Sequence, residues 1–176
     1  RGPAGEHEAR QPRHLVFHTN LSIAYTTNER EQPGVGAWQW DTEQGRLTPM
    51  QNIVTQPKGF TGTITTADLH LTPNAKYLYI SNRDITARFE STGHDSIVGF
   101  QVDPQNGRLK LISHTPCERV PRSFTIDKLG KFLYVAGQTD SRLGAYRIEP
   151  NGTLKKIAQY EVGKGPIWVE TLSLPK

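Results

Sequence analysis

An arginine and a glutamate bracket two short apolar runs in QPRHLVFHTNLSIAYTTNE, residues 11–29. Arg13 opens the first run and Glu29 closes the second, 16 residues later. A guanidinium can grip a carboxylate or phosphate through two parallel hydrogen bonds. A carboxylate held among guanidiniums stays ionised, as a base acting on water must. The same pattern returns twice along the chain. Aligning the returns puts Ala67 and Arg122 in the place of Arg13, Asp68 and Ser123 in that of His14, and Arg83 and Gln138 in that of Glu29. His14 and His70 stand close by, with His18 further along the first run. Taken singly, an Arg and a Glu at strand ends form a surface ion pair worth about 0–1 kcal/mol. Their recurrence at equivalent positions points instead to a site for an anion.

The elements that must position these residues read as strands. Short alternating or β-branched runs, bounded by Gly, Asn, Asp and Pro, dominate the chain, and helical periodicity is nearly absent. Each unit opens with one run (PRHLVFH, ADLHLTP, PRSFTID) and continues with a second (IAYTTN, YLYISN, FLYVAG). A third follows (VGAWQWD, IVGFQVD, LGAYRIE), and a Gly-containing turn leads into a fourth. Tyr25, Tyr79 and Tyr134 anchor the second runs, 54 and 55 residues apart. Four antiparallel strands per unit, repeated at about this period, mark the blades of a β-propeller. The expected blades cover about 11–62, 66–118 and 120–163, with a lone closing strand at 166–173. Three blades cannot close a ring of the usual 4–8. The chain therefore reads as part of a larger propeller, to be completed by a complementary half or by self-association. Such open edges should expose Val16, Phe17, Ile167 and Trp168. In a blade the innermost strand starts where the second ends, so Arg13 and Glu29 should meet at one mouth of the channel. Insertions at 51–66 and 83–95 lengthen the loops of the second unit, where binding sites are commonly built.

Gross composition agrees. The 176 residues are 35% hydrophobic and 22% charged, with 16 Gly and 12 Pro, a turn-rich globular profile. A net charge of +4 is scattered, with no basic run suited to nucleic acid, and no apolar stretch is long enough for a membrane helix. Cys117 alone offers neither a disulfide framework nor a zinc cluster and reads as an incidental thiol. Asn151-Gly-Thr153 reads as hairpin chemistry. His7, His94 and His114 lack metal-ligand spacing.

The quoted runs, together with TADLHLTPNAKYLYISNR, DSIVGFQVDPQNGRL, PRSFTIDKLGKFLYVAGQ and VGKGPIWV, resemble the seven-bladed propeller lactonases. That family holds the bacterial propeller-type 6-phosphogluconolactonases and the fungal carboxymuconate lactonizing enzymes. The resemblance covers essentially the whole chain and corresponds to the family's C-terminal half. It implies a channel-mouth active site built from Arg, Glu and a His. Glu29, Arg13, Arg83 and Arg122 are then the expected catalytic set, with Asp68, His70, His14 and Gln138 on the substrate; a further His from an earlier blade has no counterpart here. The GKGPIWV ending and the AGQ after FLYV look most like the bacterial branch. The implied activity is hydrolysis of a small anionic sugar lactone, 6-phosphoglucono-1,5-lactone, in the cytoplasm, without cofactor or metal. The arginines would hold phosphate and oxyanion, and Glu29 or the missing His would activate water. A lactonizing isomerase acting on a carboxymuconate and a non-catalytic propeller scaffold are the competing readings.

Overall fold

Alternation of apolar and polar residues at period two, interrupted every few residues by a turn former, can bury one face of a sheet but no stripe of a helix. The computed structural model describes residues 11–87 and 92–172, and across these the chain is strand and turn with no helix. His7, the centre of the 83–95 insertion and the last residue of the expected closing strand lie outside the described residues.

The strands form three antiparallel sheets of four. The first runs β1 (Pro12–Phe17), β2 (Ile23–Asn28), β3 (Gly34–Asp41) and β4 (Arg46–Val54), each beside its sequence neighbour. The second runs β5 (Ile64–Leu71), β6 (Tyr77–Asp84), β7 (Ser96–Val102) and β8 (Leu109–Pro116) in the same way. The third repeats the order with β9 (Pro121–Ile126), β10 (Phe132–Gly137), β11 (Arg142–Ile148) and β12 (Leu154–Glu161). These are successive blades of a propeller.

Blades stack face to face, and the cores lie between them. Ile23, Tyr25, Val35, Leu69, Ile80 and Phe100 close the first interface; Tyr79, Ile97, Phe124, Val135 and Tyr146 close the second. The tyrosine repeat has a specific role here. Tyr25 donates its hydroxyl to the Gly107 carbonyl of the next blade at 2.8 Å, and Tyr79 does the same to Gly152 at 2.9 Å. Both glycines sit at positive φ, 69° and 81°, in the turn before the fourth strand. A Cβ at Gly107 would lie 2.9 Å from the Ile23 side chain, and one at Gly152 would lie 2.6 Å from Tyr77. Glycine is thus required twice over, by conformation and by the approach of the neighbouring blade. Asn151 caps its own turn by accepting from the Thr153 N–H and hydroxyl, so Asn151-Gly152 is turn chemistry, as expected.

Two expectations need correction. Residues 162–172 form no ladder: Val169 N–H reaches Ser123 Oγ and the Thr171 hydroxyl reaches the Ile126 carbonyl, both at 3.3 Å. Bonds that pass through side chains hold this segment beside β9 without making it a strand. Phe17, Ile167 and Trp168 are exposed as expected, but Val16 packs against the first core cluster, and Leu15 takes its place at 45% exposure. Side chains on a strand alternate faces, so Val16 and Phe17 cannot share one.

Candidate active site

The site begins with a repeated irregularity. Opposite β2, the pairing of β1 jumps from Pro12 with Asn28 to Leu15 with Thr26, so Arg13 and His14 face one residue, Thr27. In β5 the jump falls between Thr66 and Leu69, leaving Ala67 and Asp68 against Ser81. In β9 it falls at Arg122, between the pairs of Pro121 with Gly137 and Ser123 with Ala136. A bulge puts an extra residue on one strand and re-aims its side chain. Each innermost strand carries one at the position flagged by the repeat. Where the neighbouring strand offers a hydroxyl, it accepts the freed N–H: His14 donates to Thr27 Oγ1 at 3.1 Å and Asp68 to Ser81 Oγ at 3.0 Å.

The bulges bring guanidiniums from different blades together. Glu29, just beyond β2, takes Arg83 Nη2 at 2.5 Å and Arg13 Nη1 at 3.7 Å, both on Oε1. The Arg83 side chain is 7% exposed and that of Glu29 24%. Burial disfavours the charge of Arg83, as do Arg13 and Arg122 nearby, while the hydrogen bond and charge of Glu29 favour it. Arg122 repels both Arg83 and His14, which places it in the same cluster, yet it makes no ion pair among the described residues. One carboxylate thus holds two of the three guanidiniums. The Nε atoms of Arg13 and Arg83 are buried without a hydrogen-bond partner. Buried donors are ordinarily paired, and a pair left unmade costs about 1–3 kcal/mol.

Beneath this cluster lies Asp68, itself 2% exposed. His14 Nδ1 stands 3.3 Å from its Oδ1 and His70 Nε2 stands 3.4 Å from its Oδ2, neither contact having the alignment of a hydrogen bond. Oδ2 also accepts the Phe124 N–H of the third blade at 3.2 Å. Burial pushes the Asp68 carboxyl up, but His70, the Phe124 N–H and His14 together hold it below the usual range. Burial lowers His14, and Arg13, His70 and Arg122 lower it further against the pull of Asp68. The pair at neutral pH is therefore an ionised carboxylate beside a neutral imidazole. His70 lies edge-on to the Phe124 ring at 4.8 Å.

The rim thus gathers Arg13, Glu29, Arg83, Asp68, His14 and His70, with Arg122 beside them. Gln138 is half-buried just beyond β10, its N–H on the Val120 carbonyl, and its side chain makes no hydrogen bond among the described residues. His18 is structural: its Nδ1 accepts the Asn20 and Leu21 N–H groups and closes the turn after β1. His114 likewise serves the scaffold, with Nε2 at 2.9 Å from the Thr55 carbonyl. The Cys117 thiol is pushed up by burial and by Asp95 and Glu118, as suits an inert sulfur.

Sequence reasoning passed over Asp84, next to Arg83. Its fully buried carboxylate accepts the Thr86 N–H and hydroxyl, the Thr92 N–H and hydroxyl, and the His94 N–H. Thr86, Thr92 and His94 of the insertion after β6 thus gather on that one side chain. This insertion meets the other, for Phe60 stacks on His94 at 4.4 Å and Thr63 N–H reaches Thr86 Oγ1 at 3.0 Å. The run D-x-T with a second Thr and His close behind was the available signal, since carboxylates commonly organise turns.

The sequence matches the family described as lactonase, seven-bladed β-propeller, over residues 7–171. It is 42% identical over 164 residues to a 6-phosphogluconolactonase of Pectobacterium carotovorum, covering 93% of this chain and 46% of that protein. It is 39% identical over 160 residues to a 6-phosphogluconolactonase of Yersinia pestis, covering 90% and 45%. The chain spans about half the length of the curated relatives it matches. Among solved structures, a periplasmic gluconolactonase of Pseudomonas aeruginosa superposes with a TM-score of 0.77 at 29% identity, over 88% of this chain and 40% of that one. A Lactobacillus plantarum protein superposes at 0.83 with 24% identity, over 94% and 46%, which bears on the fold alone.

Proposed function

The chain belongs to the seven-bladed β-propeller lactonase family, and on that premise we propose that it supplies the arginine-bearing part of an enzyme that hydrolyses 6-phosphoglucono-1,5-lactone to 6-phosphogluconate. The observation that carries this reading is the charge imbalance at the channel mouth, where three guanidiniums, Arg13, Arg83 and Arg122, face two carboxylates, Glu29 and the buried Asp68. Glu29 fixes Arg13 and Arg83 in place and leaves net positive charge behind. Arg122, without a carboxylate of its own, takes the phosphate in the bidentate way its geometry favours. The Arg13 side chain, 19% exposed, is the donor for the lactone carbonyl oxygen, on which negative charge grows as water adds. Water attacks the carbonyl carbon, the bond from that carbon to the ring oxygen breaks, and the ring oxygen leaves as a hydroxyl. Nothing is oxidised or reduced, so the step calls for no redox cofactor.

The same reading covers the open edges. Leu15, Phe17, Ile167 and Trp168 are the apolar surfaces on which the complementary blades of the ring would lie. A phosphorylated sugar lactone as substrate favours the cytoplasm. Among the described residues no helix is long and apolar enough to cross a membrane.

The test compares 6-phosphoglucono-1,5-lactone with glucono-1,5-lactone in the protein complete with all its blades, after subtracting spontaneous hydrolysis. Arg122→Ala raises KM for the phosphorylated lactone by about ten- to hundredfold, the loss of a charge-assisted contact worth about 1.5–3 kcal/mol. It leaves the unphosphorylated lactone nearly unaffected. If Arg13→Ala, Arg83→Ala and Arg122→Ala all match the parent on both lactones, the rim is structural and the scaffold reading stands.

A further inference from the structure

We propose that His14, oriented by Asp68, is the group that takes the proton from water and returns it to the ring oxygen in this hydrolysis. The inference rests on the lactonase reading and deepens it, because it moves the proton-transfer role away from Glu29. Both guanidiniums that touch Glu29 converge on its Oε1, and Arg83 there is buried. A carboxylate oxygen that holds two cations is a clamp.

His14 has the opposite surroundings. The bulge at Arg13 and His14 turns its ring toward Asp68 of the next blade, with Nδ1 3.3 Å from Oδ1. Asp68 is held from three sides, by its N–H on Ser81 Oγ, by the Phe124 N–H on Oδ2 and by its own Oδ1 on the Leu69 N–H. An ionised carboxylate so fixed selects the tautomer with the proton on Nδ1, leaving the Nε2 lone pair for water. The His14 side chain is 31% exposed, so the ring can meet solvent and substrate. His70 is the weaker candidate. Its Nε2 lies 3.4 Å from Asp68 without hydrogen-bond alignment, and its ring is held edge-on against Phe124 at 4.8 Å. The charged groups facing His14 are Arg13 on its own strand, Asp68 and His70 on β5, and Arg122 on β9. Burial first, and then Arg13, His70 and Arg122, keep the imidazole neutral and ready to accept. In the reaction a water proton passes to His14 Nε2 as the water oxygen bonds the carbonyl carbon. The imidazolium then gives that proton to the departing ring oxygen, and the neutral ring is restored. Asp68 is a positioning residue in this scheme, since it touches His14 and not the lactone.

Two measurements on the protein complete with all its blades decide it. The first is the pH profile of kcat on 6-phosphoglucono-1,5-lactone. In the parent, activity falls on the acid side with a midpoint below the usual histidine value. His14→Gln lowers kcat by about a hundredfold and abolishes that acid limb while KM stays within about twofold, the size expected for a lost general base. Asp68→Asn keeps an acceptor for Phe124 but removes the charge. It lowers kcat about tenfold and shifts the limb to still lower pH, because the one group that favours the charged imidazole is gone. The second measurement is the nitrogen NMR spectrum of His14 without substrate, expected to show the Nδ1–H tautomer in the parent and a mixture in Asp68→Asn. A His14→Gln enzyme that keeps the parent's acid limb, or an Nε2–H tautomer in the parent, overturns the inference and leaves the lactonase reading intact. A parent inert on every lactone, with the Nδ1–H tautomer present, overturns that reading and the catalytic role together.

Discussion

Arg83 of the second blade places Nη2 2.5 Å from Oε1 of Glu29 in the first, so the central ion pair of the rim is also a bond between blades. It has company along the same seam: Thr66 Oγ1 donates to the Asn28 carbonyl at 2.6 Å and Thr66 N–H to the Glu29 carbonyl at 3.2 Å. A substitution in this pair therefore acts on inter-blade stability as well as on the rim.

That dual effect gives the first prediction. Glu29→Gln leaves Arg83 buried without its counter-ion, and unfolding in urea should show a loss of about 3 kcal/mol, in the range for breaking a buried pair. The double variant Glu29→Gln with Arg83→Met removes both charges and should recover most of that loss without recovering turnover. A single variant as stable as the parent would show that the pair contributes nothing.

A second prediction concerns the charge around His14. Arg122 lowers the proton affinity of that ring, behind burial, Arg13 and His70. Arg122→Gln should therefore raise its titration midpoint toward the ordinary value, and any activity that depends on neutral His14 should fade at a higher pH than in the parent. Histidine NMR titration reads this directly. A midpoint that moves down or stays fixed would place Arg122 away from the ring.

The tyrosine locks give a third. Tyr25→Phe and Tyr79→Phe strand the buried carbonyls of Gly107 and Gly152, and each should cost about 1–3 kcal/mol. Tyr134→Phe should cost little in this chain, because Tyr134 is half-buried and its hydroxyl makes no bond among the described residues. Thermal melts of the three variants side by side make the comparison.

The fourth prediction is acid loosening of the insertion after β6. Burial raises the Asp84 carboxyl, but the hydroxyls of Thr92 and Thr86 and the N–H groups of Thr86 and His94 more than offset it, to about 2. Because the folded value lies below the unfolded one, the stabilisation is complete above about pH 4 and is lost as pH falls toward 2. Amide exchange at Thr86, Thr92 and His94 should accelerate over that interval and not above it. Asp84→Asn should show the faster exchange already at neutral pH.

Much of this protein was decided by local sequence. The period between Tyr25, Tyr79 and Tyr134 is enough to specify four-stranded units. Equivalent slots in those units carry Arg13, Arg122, Glu29 and Arg83, because a repeat lets one position be compared with its copies. Other features depended on the packing of one sheet against the next. The contact of His14 with Asp68 joins residues 54 apart, and it exists only because bulges turn both side chains into the same gap. No pattern within either strand announces a bulge that is satisfied by a hydroxyl on the neighbouring strand, Thr27 or Ser81. The parity of Leu15 and Val16 was set in the same way, since the extra residue at Arg13 and His14 reverses which face the following side chains occupy. The stretch at 166–172 has the composition of a strand, but a strand also needs a partner's free edge to pair with. Only the arrangement around β9, where Ser123 and Ile126 take single bonds from it, decided that it runs alongside without a ladder.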